Sequence, residues 1–201
     1  MLSVCIQAGG ASTRMGTDKA LIPFNGQPLV ERLLTRFKPI AAELFIISNH
    51  PANFQNQQAV VYSDLRPGVG ALGGLYTALT YAKFDLLALI ACDLPFANPN
   101  LIAWMAEQMA DPELAAIYPK PNGFYEPVHA VYRPSVCLPR VEEAINRGDR
   151  KLISWIEEVP IAEVPEQVLA HFDPLGRTFI NVNTPQEFSA AELLESQSPT
   201  G

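Results

Sequence analysis

Arg14 and Lys19 close a stretch that reads Gln7-Ala8-Gly9-Gly10-Ala11-Ser12-Thr13-Arg14-Met15-Gly16-Thr17-Asp18-Lys19. Adjacent glycines let the chain bend where a side chain would clash. The N–H groups of such a bend converge into a seat for phosphate oxygens. A planar guanidinium and a mobile ammonium add the charge that holds a polyphosphate. Asp93 is the matching acid, placed in Cys92-Asp93-Leu94-Pro95-Phe96 directly after the apolar run Leu86 to Ala91. A carboxylate at the end of a buried strand is costly unless solvated, paired or coordinated. Magnesium takes one or two carboxylates together with phosphate oxygens. These residue types point to a triphosphate site with a metal carboxylate.

Other patterns fit less well. Gly68, Gly70 and Gly73 spell the G-x-G-x-x-G of dinucleotide-binding proteins, but Ser63 to Pro67 intervenes after the apolar Val60-Val61-Tyr62. That fingerprint needs its first glycine tight against a strand end. Lys19 does not directly follow a glycine, as a Walker A loop requires. Ser12 has Arg14 where a nucleophile elbow has its second glycine. His50, His129 and His171 are unclustered and read as structural or surface residues.

The elements that must position these groups alternate along the chain. Leu2 to Ile6 reads as a buried first strand, Leu44 to Asn49 as a second and Val60 to Tyr62 as a third. Asn25-Gly26 is a strong turn signal between Leu21-Ile22-Pro23-Phe24 and Gln27-Pro28-Leu29. Leu29, Leu33 and Phe37 form one helical face. Leu86 to Ala91 has the unbroken apolarity of a central parallel strand covered on both sides. Asn98-Pro99 caps a helix, Ala115 to Tyr118 and Pro127 to Tyr132 read as extended, and Pro134 to Asn146 as a helix closed by Gly148. Alternation in Phe179 to Asn183 predicts a strand with Asn181 and Asn183 on one face. Thr184 with Glu187 forms a capping box for a last helix through about Glu195.

The reading is an α/β protein, a single Rossmann-like three-layer α/β/α sandwich with a mostly parallel sheet. It forms one domain over 1–195, with 196–201 a frayed tail. In such sheets ligands sit beyond the carboxyl ends of the strands, which makes Asn49 and Asp64 candidates by location. With 48% apolar and 17% charged residues in 201, the chain can bury a sizeable core. A net charge of −7 disfavours non-specific nucleic-acid binding. No apolar run approaches a membrane span, and the N-terminus has no signal-peptide pattern. Cys5, Cys92 and Cys137 are widely spaced and read as reduced core cysteines, the pattern of a cytoplasmic protein.

Four strings together resemble the molybdenum cofactor guanylyltransferase (MobA-like) family, whose fold is of the nucleotide-diphospho-sugar-transferase type. The first is Ala8-Gly9-Gly10 with Ser12, Arg14-Met15-Gly16 and Asp18-Lys19, preceded by Gln7 where the family has leucine. The second is Gly70-Ala71-Leu72-Gly73-Gly74, with Ala71 in place of proline. Cys92-Asp93-Leu94-Pro95-Phe96 and Asn181-Val182-Asn183-Thr184-Pro185 complete the set, and Glu126-Pro127 with Ala130 to Pro134 looks like the family's middle region, which lines the acceptor pocket.

The resemblance implies transfer of GMP from GTP to the terminal phosphate of molybdopterin or the molybdenum cofactor, with Mg²⁺ on Asp93 and release of pyrophosphate. It implies that Gln7 to Gly10 and Arg14 hold the nucleotide and that Lys19 sits near the α-phosphate. Asn49, Asp64 and the loop bearing Gly70 and Gly73 face ribose and base, and Asn181 and Asn183 face the acceptor or the metal. Small molecules are the implied partners, with molybdoenzymes or other cofactor-biosynthesis proteins beyond them. Cytidylyl transfer by an enzyme of the same fold, or non-catalytic delivery of GTP or cofactor, are the alternatives.

Overall fold

The computed structural model describes residues 1–8, 18–55 and 57–196. Strand β1 (Leu2–Gln7) is buried at every position. After a short 3₁₀ turn over Lys19–Leu21, a two-strand hairpin forms from β2 (Pro23–Phe24) and β3 (Gln27–Pro28). Its corner places Asn25 at φ 48° and Gly26 at φ 80°. Two consecutive left-handed residues are what a tight type I′ hairpin turn needs, and Asn-Gly supplies them with the least strain.

Helix α1 (Leu29–Phe37) leads to β4 (Glu43–Ser48) and β5 (Val60–Ser63), then α2 (Ala71–Tyr81) to β6 (Leu86–Ala91). Helix α3 (Pro99–Gln108) starts where expected: Asn98 accepts from the N–H groups of Asn100 and Leu101, and Pro99 fills the first turn. Then come β7 (Ala116–Tyr118), β8 (His129–Tyr132), α4 (Pro134–Asn146), β9 (Ile161–Glu163), α5 (Glu166–Phe172) and α6 (Pro185–Ser196).

All strands except the hairpin join one seven-stranded sheet, ordered β5-β4-β1-β6-β8-β7-β9. Its first four strands run parallel, β8 runs against both β6 and β7, and β9 is parallel to β7. The carboxyl ends of β1, β4, β5, β6, β7 and β9 therefore share one edge, where β8 begins.

Period-two alternation divides the core into two layers. Val4, Ile6, Ala88 and Ile90 face the side covered by α1 and α3, with Leu33, Phe37, Leu101 and Met105 packed on them. Cys5, Leu87 and Leu89 face the opposite side, against Leu72 and Leu75 of α2 and Val141 of α4. This is the three-layer α/β/α arrangement.

One expected element is absent. Residues 179–183 form no strand. Val182 N–H donates to the Asp93 carbonyl at 2.9 Å and the Phe179 ring packs on His129 of β8, but no ladder forms, so they cross the ends of the strands instead of joining them. A small separate core of Phe24, Leu29, Val182, Phe188 and Ala191 holds this strap in place. The expected facing survives without the strand: Val182 is buried, while Asn181 and Asn183 are exposed.

Candidate functional site at the carboxyl edge of the sheet

The start of the glycine stretch is pinned between two strands. Ala8 N–H donates to the Ile47 carbonyl at 2.8 Å, and the Gln7 carbonyl accepts from Cys92 N–H at 3.1 Å. The backbone entering the stretch is thus locked beside the residue that precedes Asp93. Gly9, Gly10 and Arg14 lie outside the described residues.

Lys19, at the far end of the stretch, is fixed by the 3₁₀ turn. Asp18 caps that turn by accepting from Ala20 N–H at 3.2 Å. Burial pushes the Asp18 carboxyl up, while the Ala20 N–H and the neighbouring His50 work the other way. The Lys19 stem is buried and its ammonium emerges at the strand ends. Its Nζ donates to Asp93 Oδ2 at 3.0 Å and to Asn183 Oδ1 at 2.6 Å. Lys19 is 7% exposed and Asp93 26%, so the pair is sheltered yet reachable from the open edge.

Each partner has its own support. Arg32 of α1 donates from Nε to the Pro95 carbonyl at 2.9 Å and ion-pairs through Nη2 with Glu195 of α6. It ties the loop after Asp93 to the last helix. Asn183 sits immediately before the capping box. Glu187 Oε2 accepts from Asn183 N–H at 2.5 Å and from Thr184 N–H at 3.0 Å, and Thr184 Oγ1 accepts from Glu187 N–H at 3.2 Å.

The second glycine segment has two distinct jobs. Gly70 precedes α2 with φ 78°, a backbone that L side chains rarely adopt, and it is exposed at the edge. Gly73 and Gly74 are buried inside α2. A Cβ on Gly73 would stand 2.7 Å from the Arg66 carbonyl oxygen, and one on Gly74 only 1.8 Å from Gln7 Nε2. Gly73 therefore supports the loop from beneath. Asp64 braces the same loop, accepting through Oδ1 from Arg66 N–H and from Thr77 Oγ1, both at 2.9 Å. Asn49 follows β4 on the same edge and is exposed.

Gln7 is placed by this packing. Its side chain lies under the first turn of α2, with Nε2 3.4 Å from the Ala71 carbonyl and Oε1 buried without a partner among the described residues. Glu126 is a further acid near the centre. Burial raises its carboxyl above the usual range, and the charge of Asp93 adds to the effect. Its sequence signal was the Glu126-Pro127 string.

A hard divalent cation suits this donor set. Asp93 offers carboxylate oxygens to an open edge, and Glu126 stands close enough to feel its charge. Among the described residues no three His, Cys, Asp or Glu side chains group to hold a metal. Such an ion would complete its shell with phosphate oxygens and water, as magnesium does.

The model of the MobA-like NTP transferase domain matches residues 4–164. A protein from Natranaerobius thermophilus named probable molybdenum cofactor guanylyltransferase is 32% identical, with 94% of each chain covered. The molybdenum cofactor guanylyltransferase of Vibrio cholerae is 34% identical over 92% of this chain and 88% of its own. Among solved structures, molybdopterin-guanine dinucleotide biosynthesis protein A from Archaeoglobus fulgidus superposes with a TM-score of 0.83 at 27% identity, covering 98% of this chain and all of that one. Among the described residues, no helix is long and apolar enough to cross a membrane.

Proposed function

The chain belongs to the MobA-like NTP transferase family, and from that premise we propose that it transfers GMP from GTP to the terminal phosphate of molybdopterin or the molybdenum cofactor. The products are the guanine dinucleotide cofactor and pyrophosphate. The observation that carries the reading is the meeting of Lys19, Asp93 and Asn183 through one ammonium at the carboxyl edge of the sheet. The names of the relatives supply the nucleotide and the acceptor.

A phosphate oxygen of the acceptor attacks the α-phosphorus of GTP. The new P–O bond forms as the bond from the α-phosphorus to the oxygen bridging to the β-phosphorus breaks, and that electron pair leaves with pyrophosphate. A phosphate monoester with a second pKa near ~6 is already mostly dianionic at neutral pH. No general base is needed. What this chain's residues contribute is alignment and neutralisation of charge.

Lys19 turns its ammonium from Asp93 toward the α-phosphate. Asn183, held by the capping box, keeps that ammonium at the edge and faces the acceptor with Asn181. The backbone from Gln7 to Gly10, with Arg14, seats the triphosphate. Asn49, Asp64 and the loop bearing Gly70 and Gly73 line the base and ribose, the last of these from below. Asp93, with Glu126 beside it, would hold Mg²⁺, which neutralises phosphate oxygens when bound.

The test is to incubate the protein with GTP, Mg²⁺ and molybdopterin, following pyrophosphate release and dinucleotide formation by mass spectrometry. Both products in equal amounts are expected. Pyrophosphate only with CTP would move the reading to cytidylyl transfer. Tight GTP binding without pyrophosphate would make the protein a delivery factor.

A further inference from the structure

Two arms lead from Arg32 of α1 to the two residues that share the Lys19 ammonium. Its Nε donates to the Pro95 carbonyl at 2.9 Å, in the loop that Asp93 opens. Its Nη2 ion-pairs with Glu195 of α6, the helix that follows Asn183. We propose that Arg32 is a positioning residue for the transfer reaction. It fixes Asp93 and Asn183 relative to each other, and so fixes where the Lys19 ammonium stands. The inference rests on the functional reading above and adds a residue that acts through the reacting groups.

The strap needs such an anchor. It forms no ladder with the sheet, so strand pairing does not set its register against Asp93. Helix α6 carries the anchoring instead. Near its C-terminus, Glu192 Oε1 accepts from Asn25 N–H at 2.7 Å and Glu195 Oε2 from Asn25 Nδ2 at 2.6 Å. At its N-terminus, Glu187 Oε2 accepts from Asn183 N–H. Arg32 joins this helix to the Asp93 loop.

Apolar contacts follow the same route. The Arg32 guanidinium carbon lies 5.1 Å from the centre of the Phe24 ring. Phe24 meets Phe96 of the Asp93 loop edge-on at 5.8 Å and Phe188 of α6 at 6.4 Å. Arg32 is therefore stacked on a ring that packs against both segments it bonds.

The position calls for arginine. One rigid plane serves two partners with different nitrogens and covers a ring, which a lysine ammonium cannot do. The side chain is 14% exposed, so its ion pair escapes much of the screening that weakens surface pairs. Arg36, one turn further along α1, donates from Nε to the Ala97 carbonyl at 3.2 Å. Among the described residues it grips the same loop without a bond to α6, which makes it the control.

The experiment compares wild type with Arg32→Lys, Glu195→Gln and Arg36→Gln. Amide hydrogen exchange of the nucleotide-free protein is read by NMR at Ala97 and Val182, whose N–H groups bond to the Leu94 and Asp93 carbonyls. Turnover of GTP with molybdopterin and Mg²⁺ is measured beside it. Arg32→Lys should speed exchange at both amides by about tenfold, the loss of one charged hydrogen bond. It should lower kcat by about tenfold and leave the GTP KM within about twofold, since misplacement costs rate before binding. Added to Lys19→Met, it should lower kcat no further, because the ammonium it positions is gone. Glu195→Gln should speed exchange at Val182 and not at Ala97. Arg36→Gln should leave Val182 exchange and kcat at wild-type values.

Wild-type exchange at Val182 in Arg32→Lys overturns the positioning role. So does an equal loss of kcat in Arg36→Gln, or a further tenfold loss when Arg32→Lys is added to Lys19→Met. A wild type that makes no dinucleotide overturns the functional reading, and exchange at the two amides then decides the link by itself.

Discussion

Lys19 Nζ lies 3.0 Å from Asp93 Oδ2 and 2.6 Å from Asn183 Oδ1, so one ammonium joins positions 74 and 164 residues further along the chain. Without a nucleotide, Lys19 is the counterion that keeps the Asp93 carboxylate paired. With one, the same ammonium is wanted at the phosphates. Lys19→Met should therefore lower kcat by about 10²-fold or more, as removal of a donor to the transition state does. The same change leaves Asp93 without its cation, so Mg²⁺ should bind the nucleotide-free variant more tightly than wild type in a calorimetric titration. Wild-type turnover in Lys19→Met would remove the residue from the mechanism.

Asp93→Asn tests the other half of the pair. It should abolish Mg²⁺-dependent turnover. It also leaves a nearly buried ammonium facing a neutral amide, at a cost of about 1–3 kcal/mol for the lost charged partner. Circular dichroism should show the native spectrum with an earlier urea midpoint. Retained Mg²⁺-dependent activity would rule out Asp93 as the metal carboxylate.

Gly74 and Gln7 form a second coupled pair. Gly74→Ala puts a Cβ 1.8 Å from Gln7 Nε2 and 2.7 Å from its Cδ. The Gln7 side chain must move, and overpacking of this kind costs about 1–3 kcal/mol. Adding Gln7→Ala should remove the clash, and alanine is the better helix former at position 74. The double variant should be more stable than the sum of the singles by at least about 1 kcal/mol in a double-mutant cycle. Strict additivity would show that the two do not touch.

His129 sets a pH dependence of stability. It is buried, its Nε2 accepts from Asn98 N–H at 3.0 Å, and the rings of Phe37 and Phe179 pack against it. Burial lowers its pKa from 6.5 to about 4. The unfolded chain therefore binds this proton more readily than the folded one between those two values. Its contribution is intact above pH 6.5 and falls as pH drops toward 4, by up to about 3 kcal/mol at 1.36 kcal/mol per unit. Urea melts at pH 7 and pH 4.5 should show a smaller loss for His129→Phe than for wild type. Equal losses would assign the acid sensitivity to carboxylates alone.

The capping box links stability to the site. Thr184→Ala removes the bond from Glu187 N–H to Thr184 Oγ1, a loss of about 1 kcal/mol for a helix cap. Because Glu187 also accepts from Asn183 N–H, kcat should fall as the melting temperature does. A stability change with unaltered kinetics would uncouple the cap from Asn183.

The elements were legible because their causes are local. The apolar runs at Leu2 and Leu86, the Asn25-Gly26 corner, the Asn98-Pro99 start of α3 and the Thr184–Glu187 box each depend on a few neighbouring residues. The burial of β1, and of β6 on both faces, was also legible, because their apolar runs leave no polar face to turn outward. The strand expected over 179–183 was not found, because alternation fixes which way side chains face but not whether a sheet edge is available to pair with. Strand β9 and helix α5 had no comparable signal; Ile161–Glu163 is a strand through its pairing with β7.

By itself, then, the sequence determined the α/β class and the chemical kinds of group present: a glycine-rich stretch with two cations, a carboxylate after a buried strand and two asparagines near the end. Only the tertiary structure decided that Lys19 meets Asp93 and Asn183, and that Gly74 leaves room for the Gln7 side chain. Each of these is a contact between segments far apart in the chain. Their meeting depends on strand order and on the strap's small core, which no local periodicity encodes.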